Sequence, residues 1–401
     1  NDLSAGVAYT LQEANVAGYA EGSWSCSGTN GVGGGGVYNG ASVTLELGED
    51  VSCQITNNDI APTLTLVKNV INDNGGTIAS SAWTLTAAGP TGFSGLGPSV
   101  SSGAGFESGT YDLSESGPNG YAATAWNCQG GSQIDTDTVL VGLGQDATCT
   151  ISNNDRPPTL TLVKQVINDD GGNAVPADWM LTATGPTGFS GTGPSISSGA
   201  DFQAGDYDLS ESGPDGYTAG DWSCDGGVLA GSTVTVGIDE TVTCTIVNDD
   251  IAPTLTLTKA VTNDNGGSLG PNDFGLTIGG NPVASGVATP VAANTLLAID
   301  EAGAEGYDFV SISGDAKCPA VLGGTLTLDE GEDVSCTIAN DDIAPSLTVI
   351  KKLLNDNGGM ATVSAFNVTT TAGALSFDGG VGTNPVVYTA GPLNDLSAGI
   401  A

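Results

Sequence analysis

The chain has 401 residues, enough for several separately folded domains, and 45 acidic side chains against seven basic ones, a formal charge of −38. That balance excludes nucleic acid and anionic membrane surfaces as partners and makes cations the natural counterpart. Sixty-two glycines, few aromatics, and short runs in which Val, Thr, Ile and Leu alternate with small polar residues mark an all-β protein.

Taken in chain order, residues 1–57 read as the back part of a domain, because "YTLQEANVAGY", "WSC" and "VSCQITNND" return later at equivalent places. Three complete repeats follow at about 62–153, 158–248 and 253–340, and 345–401 reads as the front part of another. The phase is set by "IAPTL", "RPPTL", "IAPTL" and "IAPSL", with prolines at 62, 158, 253 and 345. Self-similarity at this period means tandem domains, each large enough to fold alone. "NDLSAGVA" at residue 1 returns as "NDLSAGIA" at Asn394, so the chain reads as one register of a longer four-domain super-repeat. The alternative is a subunit whose front half-domain is completed by the back half of the next copy, head to tail. Proline directly after each last strand, as in "NNDIAPT", stiffens a short linker and predicts a rod. No apolar run approaches the roughly 18 residues of a membrane span. With neither an initiator Met nor a signal peptide, the chain reads as a processed segment, and eight cysteines place it in an oxidising, extracellular setting.

Within a repeat, residues two apart on a strand share a face. Leu64, Leu66 and Lys68 of the opening strand therefore point the same way, as do Tyr111, Leu113 and Glu115 of "YDLSE" and Cys149, Ile151 and Asn153 of "CTISN". Each repeat sends a Lys, a Glu and an Asn inward from three strands. Four of the seven basic residues, Lys68, Lys164, Lys259 and Lys351, hold the first position. Glu13, Glu115, Glu211 and Glu301 hold the second, each followed six residues on by Tyr, and Asn57, Asn153, Asn248 and Asn340 hold the third. A lone buried ammonium or carboxylate costs several kcal/mol, and a buried pair often fails to recover its desolvation. Two readings remain: a satisfied buried ion pair, or a reaction. In the reaction, burial favours the neutral amine, which attacks the Asn carboxamide carbon while Glu shuttles protons and ammonia leaves, giving an uncharged amide cross-link.

Lys late in the first strand, "YDLSESGPNGY" or "YDLSESGPDGY" in the middle and Asn closing the last strand resemble the prealbumin-like (Cna-B/SpaA-type) repeats of bacterial adhesins and backbone pilins. "YTLQEANVAGY" lacks the proline, and "LAIDEAGAEGY" lacks both the proline and the first Tyr. The resemblance implies Ig-like/prealbumin-like β-sandwiches with Lys–Asn isopeptide bonds assisted by an acid: Lys68–Asn153 with Glu115, Lys164–Asn248 with Glu211, and Lys259–Asn340 with Glu301. Lys351 would pair with an Asn57 and Glu13 supplied by the following unit. The recurring cysteines depart from that family. Cys26/Cys53, Cys128/Cys149, Cys224/Cys244 and Cys318/Cys336 read as one disulfide per domain, since no CxxC or His suggests a metal thiolate.

"NDNGG" or "NDDGG" follows each lysine, and "NND" or "NDD" ends each last strand. If first and last strands run parallel, as the resemblance implies, both meet at the joint, and Asp and Asn oxygens suit Ca²⁺. Asp73, Asp155, Asp169, Asp250, Asp264, Asp342 and Asp356 are the candidate ligands, although Asn-Gly is also an ordinary turn. No cofactor is needed for the cross-linking. The pattern contains no turnover active site, and inward parity hides Glu115 from any substrate. The expected function is a structural extracellular filament or stalk assembled from copies of itself. The alternative is an adhesin binding a surface ligand directly, for which "TGFSGLGPSVSSGAGF" at Thr91 is the suggestive loop.

Overall fold

A computed structural model describes residues 3–29, 37–371, 373–394 and 396. The first complete repeat opens with Thr63–Ile71, whose inward Leu64 and Leu66 are fully buried. One sheet places this strand between Ser99–Ser101, antiparallel, and the last strand Asp146–Asp155, parallel, with Tyr121–Ala123 and Asn127–Gln129 on the far side of the last strand. The facing sheet runs Phe93–Leu96, Thr84–Ala88, Gly109–Ser116, Thr138–Val141, Ser132–Gln133, antiparallel throughout. Period-two alternation on both sheets feeds one core, including Leu64, Leu66, Leu85, Leu113, Val139 and Ile151. The protein is thus an all-β chain of two-sheet sandwiches in tandem, as the composition and repeats imply.

The second repeat reproduces this arrangement strand for strand, and the third keeps both sheets with four strands each. Parallel neighbours need a long crossover. Here the crossover is the rest of the domain, so the first and last strands of each complete repeat lie side by side while the chain enters and leaves at opposite ends of the pair. The register is the same three times: Lys68 lies opposite Ile151, Lys164 opposite Ile246 and Lys259 opposite Ile338.

The outer stretches are sparser. In the first, Ala8–Thr10 pairs with Ser42–Thr44, Ser25–Thr29 with Asp50–Gln54 and Tyr19–Ala20 with Asn58–Asp59. Val43 is its buried apolar side chain among the described residues. In the second, Leu347–Leu353 pairs antiparallel with Val386–Leu393, and its other edge has no strand partner among the described residues.

The joints repeat as well. The N–H of Ile60 donates to Gly18 of the preceding unit, and its carbonyl accepts from Gly144 of the following one. Arg156 bridges Gly120 and Asp239, and Ile251 bridges Gly216 and Gly331, in the same way. The short proline-flanked linker is therefore hydrogen-bonded on both sides.

Candidate functional site

Three strands deliver one polar group each into the sandwich. Lys68 Nζ lies 2.6 Å from Glu115 Oε2, Lys164 Nζ 2.7 Å from Glu211 Oε2 and Lys259 Nζ 2.9 Å from Glu301 Oε2, and all three lysine side chains are fully buried. Lys259 Nζ also donates to Asn340 Oδ1 at 2.6 Å. Asn153 and Asn248 are buried on the neighbouring strand, and the Oδ1 of each has no hydrogen-bond partner. Burial drives each of these lysines below its ordinary pKa, and the glutamate beside it opposes the shift without cancelling it. In the third repeat this sets a weakened ammonium, a carboxylate and a carboxamide in contact away from water.

An aromatic ring covers each amine. Nζ lies 4.9 Å from the centroid of Trp83, 4.6 Å from Trp179, 4.4 Å from Phe274 and, for Lys351, 4.0 Å from Phe366. A single 3₁₀ turn aims the ring. In the second and third repeats proline opens that turn, and the carboxylate of Asp178 or Asp273 accepts the N–H of Val175 or Gly270 at 2.7 Å. Tyr121 meets Trp83 edge-on at 5.1 Å, and its hydroxyl donates to Asn72. Glycine makes room for the indole: a Cβ on Gly117 or Gly213 would clash with the Trp83 or Trp179 ring, whereas at Gly303, the equivalent position in the third repeat, where Phe274 replaces the Trp, the space is open.

Every aromatic sits 15 residues after its lysine, a spacing visible in the sequence and unused by the strand-parity reading. In the three complete repeats the Tyr six residues after the Glu, noted there without a role, meets the ring edge-on.

The profile of the prealbumin-like fold domain family matches residues 1–55, 59–151, 155–246 and 250–338. The chain belongs to this family. No curated protein sequence matches it. Among solved structures, prealbumin-like repeats of this chain are similar to the Bacillus anthracis TIE protein, at 17% identity and a TM-score of 0.45 over 75% of this chain and 56% of that one. The chain thus spans little more than half the length of that relative. The major pilin T-13 of Streptococcus pyogenes is similar at 16% identity and a TM-score of 0.26 over 47% of this chain and 97% of the pilin. Two B repeat units of the collagen binding protein of Staphylococcus aureus are similar at 10% and 0.21, over 80% of this chain and 94% of theirs.

All four prealbumin-like units contain the cysteine pairs read from the sequence: Cys26–Cys53, Cys128–Cys149, Cys224–Cys244 and Cys318–Cys336 are disulfides. In the first three, the partners face each other across an antiparallel pair of strands. The split triad differs. Asn57 Nδ2 donates to Glu13 Oε1 at 2.7 Å at the surface, and Lys351 lies in the other outer stretch.

The acidic loops divide into two groups. Asp155, Asp250 and Asp342 continue the inward face of the last strand beyond Asn and are buried. Asp155 accepts the N–H groups of Asp73 and Asn74 at 3.1 Å and of Gly76 at 2.6 Å. Asp250 accepts those of Asp170 and Gly172, and Asp342 those of Asp264, Asn265 and Gly267. Burial alone would raise the Asp155 and Asp342 carboxyls; the loop N–H groups outweigh it and hold both below the ordinary aspartate value. Backbone N–H groups aimed at a carboxylate compete with a cation for the same oxygens, so these three fit a calcium shell less well than the sequence reading expected.

Carboxylate clusters that could hold a metal ion nevertheless form at Asp169, Asp170 and Asp250 and at Asp264, Asp341 and Asp342, with oxygens within 4.8 Å of one another. Desolvation and the charges of Asp169, Asp250 and Asp249 raise the Asp170 carboxyl. Asp73 and Asp356 each accept instead from the side chain of the following Asn, at 2.8 and 3.0 Å.

Proposed function

We propose that the chain is a length of extracellular structural filament or surface stalk whose complete repeats are closed by Lys68–Asn153, Lys164–Asn248 and Lys259–Asn340 amide bonds. The observation that carries this reading is the buried Lys259 Nζ, 2.6 Å from Asn340 Oδ1 and 2.9 Å from Glu301, with the same three residue types at matching positions in the other two repeats. The neutral amine adds to the Asn Cγ, the Glu carboxylate takes a proton from Nζ and passes it to the departing amide nitrogen, and ammonia leaves. The step occurs once per domain and needs no cofactor. It replaces the buried amine, and with it the buried ammonium charge, by a neutral amide, and it joins the two strands that carry the chain into and out of the repeat. On the same logic Lys351 is completed by Glu13 and Asn57 of the following unit, which makes copies of this sequence head to tail its partner.

The test is the intact mass of the reduced, unfolded chain. Each bond lowers it by roughly 17 Da, so three bonds lower it by about 51 Da, and Glu115→Ala returns one such step. An unshifted mass overturns the cross-links and leaves buried ion pairs with disulfides as the braces.

Calcium at the joints is a second reading, favoured by the two carboxylate clusters and the crowding at Asp170. It predicts a higher melting temperature in millimolar Ca²⁺ than in EDTA. The adhesive reading loses its suggestive loop: the stretch from Thr91 forms strands Phe93–Leu96 and Ser99–Ser101, and Phe106 is buried against Tyr111 with centroids 4.6 Å apart.

A further inference from the structure

The buried aspartate that ends each last strand has a use beyond its own domain. Its carboxylate gathers the N–H groups of the NDNGG or NDDGG loop, which turns that loop's carbonyls outward. Those carbonyls meet the next repeat. Ala204 N donates to Asn74 O at 2.8 Å, and Gln203 Nε2 donates to Asp73 O at 3.1 Å. One joint further on, Ala293 N donates to Asp170 O at 2.8 Å and Asn294 Nδ2 to Gly171 O at 3.1 Å. The approach is close enough to require glycine: Gly75 and Gly171 have φ of +91° and +93°, and a Cβ on either would lie 2.6 Å from the carbonyl oxygen of Ala204 or Ala293. Glu330 closes the second joint by accepting from Asn173 N at 3.2 Å and Asn294 Nδ2 at 3.0 Å.

We infer that Asp155 and Asp250 are positioning residues for repeat-to-repeat docking: each carboxylate shapes its loop into a carbonyl-bearing surface whose partner is the loop ending at Ala204 or Ala293 of the following repeat. The joint is then clasped at two separate places, the linker bridge through Arg156 or Ile251 and this loop contact. Two non-collinear attachments fix both bend and twist, whereas one would leave a hinge. Asp342 holds the Asp264–Gly267 loop in the same way. The clasp is made of backbone groups, the aspartate carboxylate and the carboxamides of Gln203 and Asn294, requires no metal ion, and is independent of whether the lysines are cross-linked.

Spin labels on ketone-bearing residues introduced in the full chain at the exposed positions Leu96 and Val228 report on the first of these joints, and labels at Val228 and Val321 on the second. The unaltered chain should give narrow distance distributions for both pairs, unchanged in EDTA. Asp155→Asn turns one acceptor oxygen into a donor facing backbone N–H groups. It should broaden the 96–228 distribution while leaving 228–321 narrow. A 96–228 distribution as narrow in Asp155→Asn as in the parent overturns the proposal. So does broadening by EDTA in the parent, which would assign the joint to a bound cation. Hydrogen exchange of the unaltered chain decides the matter even if the variant does not fold: the amides of Ala204 and Ala293 must be protected, and free exchange at both overturns the docking contact.

Discussion

At the scale of single residues, the chain faces the problem of an ammonium with no access to water. Burial depresses the amines of Lys68, Lys164 and Lys259, and the sign of the consequence follows from proton counting. An unfolded lysine keeps its proton up to about pH 10.4, while the folded one releases it earlier, so between those values the unfolded state binds more protons and stability rises with pH. Below that window the lysine costs stability. A cross-linked amine has no proton to lose. Alkaline melting curves should therefore be flat for these groups in the cross-linked chain and should rise towards pH 10 in the Asn153→Ala, Asn248→Ala, Asn340→Ala variant. The ring above the amine matters as much as its charge partner. Trp83→Ala removes a buried indole and opens the site to water, and should lower the stability of that repeat by about 3–5 kcal/mol, measured by urea unfolding.

At the scale of elements, the parallel pairing of first and last strands decides what the inward residues can do. The strand Thr63–Ile71 places Lys68 beside Asp146–Asp155, and the same last strand supplies Cys149 to the disulfide, Asp155 to the loop and, between them, the buried Asn153 of the proposed cross-link, all on one face. Period two is thus reused for two braces and for the proposed third. Removing one disulfide as Cys128→Ser with Cys149→Ser should cost about 3 kcal/mol on the chain-entropy account, read as a lower urea midpoint for that repeat. The Asp155 and Asp342 clasps contribute stability that is present above the unfolded aspartate pKa and is lost as pH falls through their lower folded values. Acid unfolding of the first repeat should begin at higher pH in Asp155→Asn than in the parent.

For the whole molecule, force applied along the chain enters each repeat at one end of the paired strands and leaves at the other. A Lys68–Asn153 bond shields the 84 residues between its ends from extension. Pulling single chains should show no release from a cross-linked repeat, and Lys68→Arg should restore an extension of about 220 Å for that repeat, the contour of the freed segment outside the Cys128–Cys149 loop at 3.3–3.6 Å per residue. The linkers add little slack, because Ile60, Arg156 and Ile251 are each hydrogen-bonded to both neighbouring units.

Much of this was legible in the sequence because it follows from local rules. Strand parity alone turns Lys68, Glu115 and Asn153 inward, the repeat spacing sets three copies of them in phase, and paired cysteines in each repeat imply a brace. Parity also extended to Asp155, but an Asx-rich loop reads equally well as a cation shell, and only the tertiary structure shows its backbone N–H groups turned towards the carboxylate. The ring over each lysine had a fixed spacing in the chain. Its direction depends on a 3₁₀ turn and on the room left by Gly117, which are properties of packing. The contact between the Asn74 and Ala204 loops joins residues 130 positions apart in different repeats. No local pattern encodes such a contact, because it exists only once two folded surfaces meet.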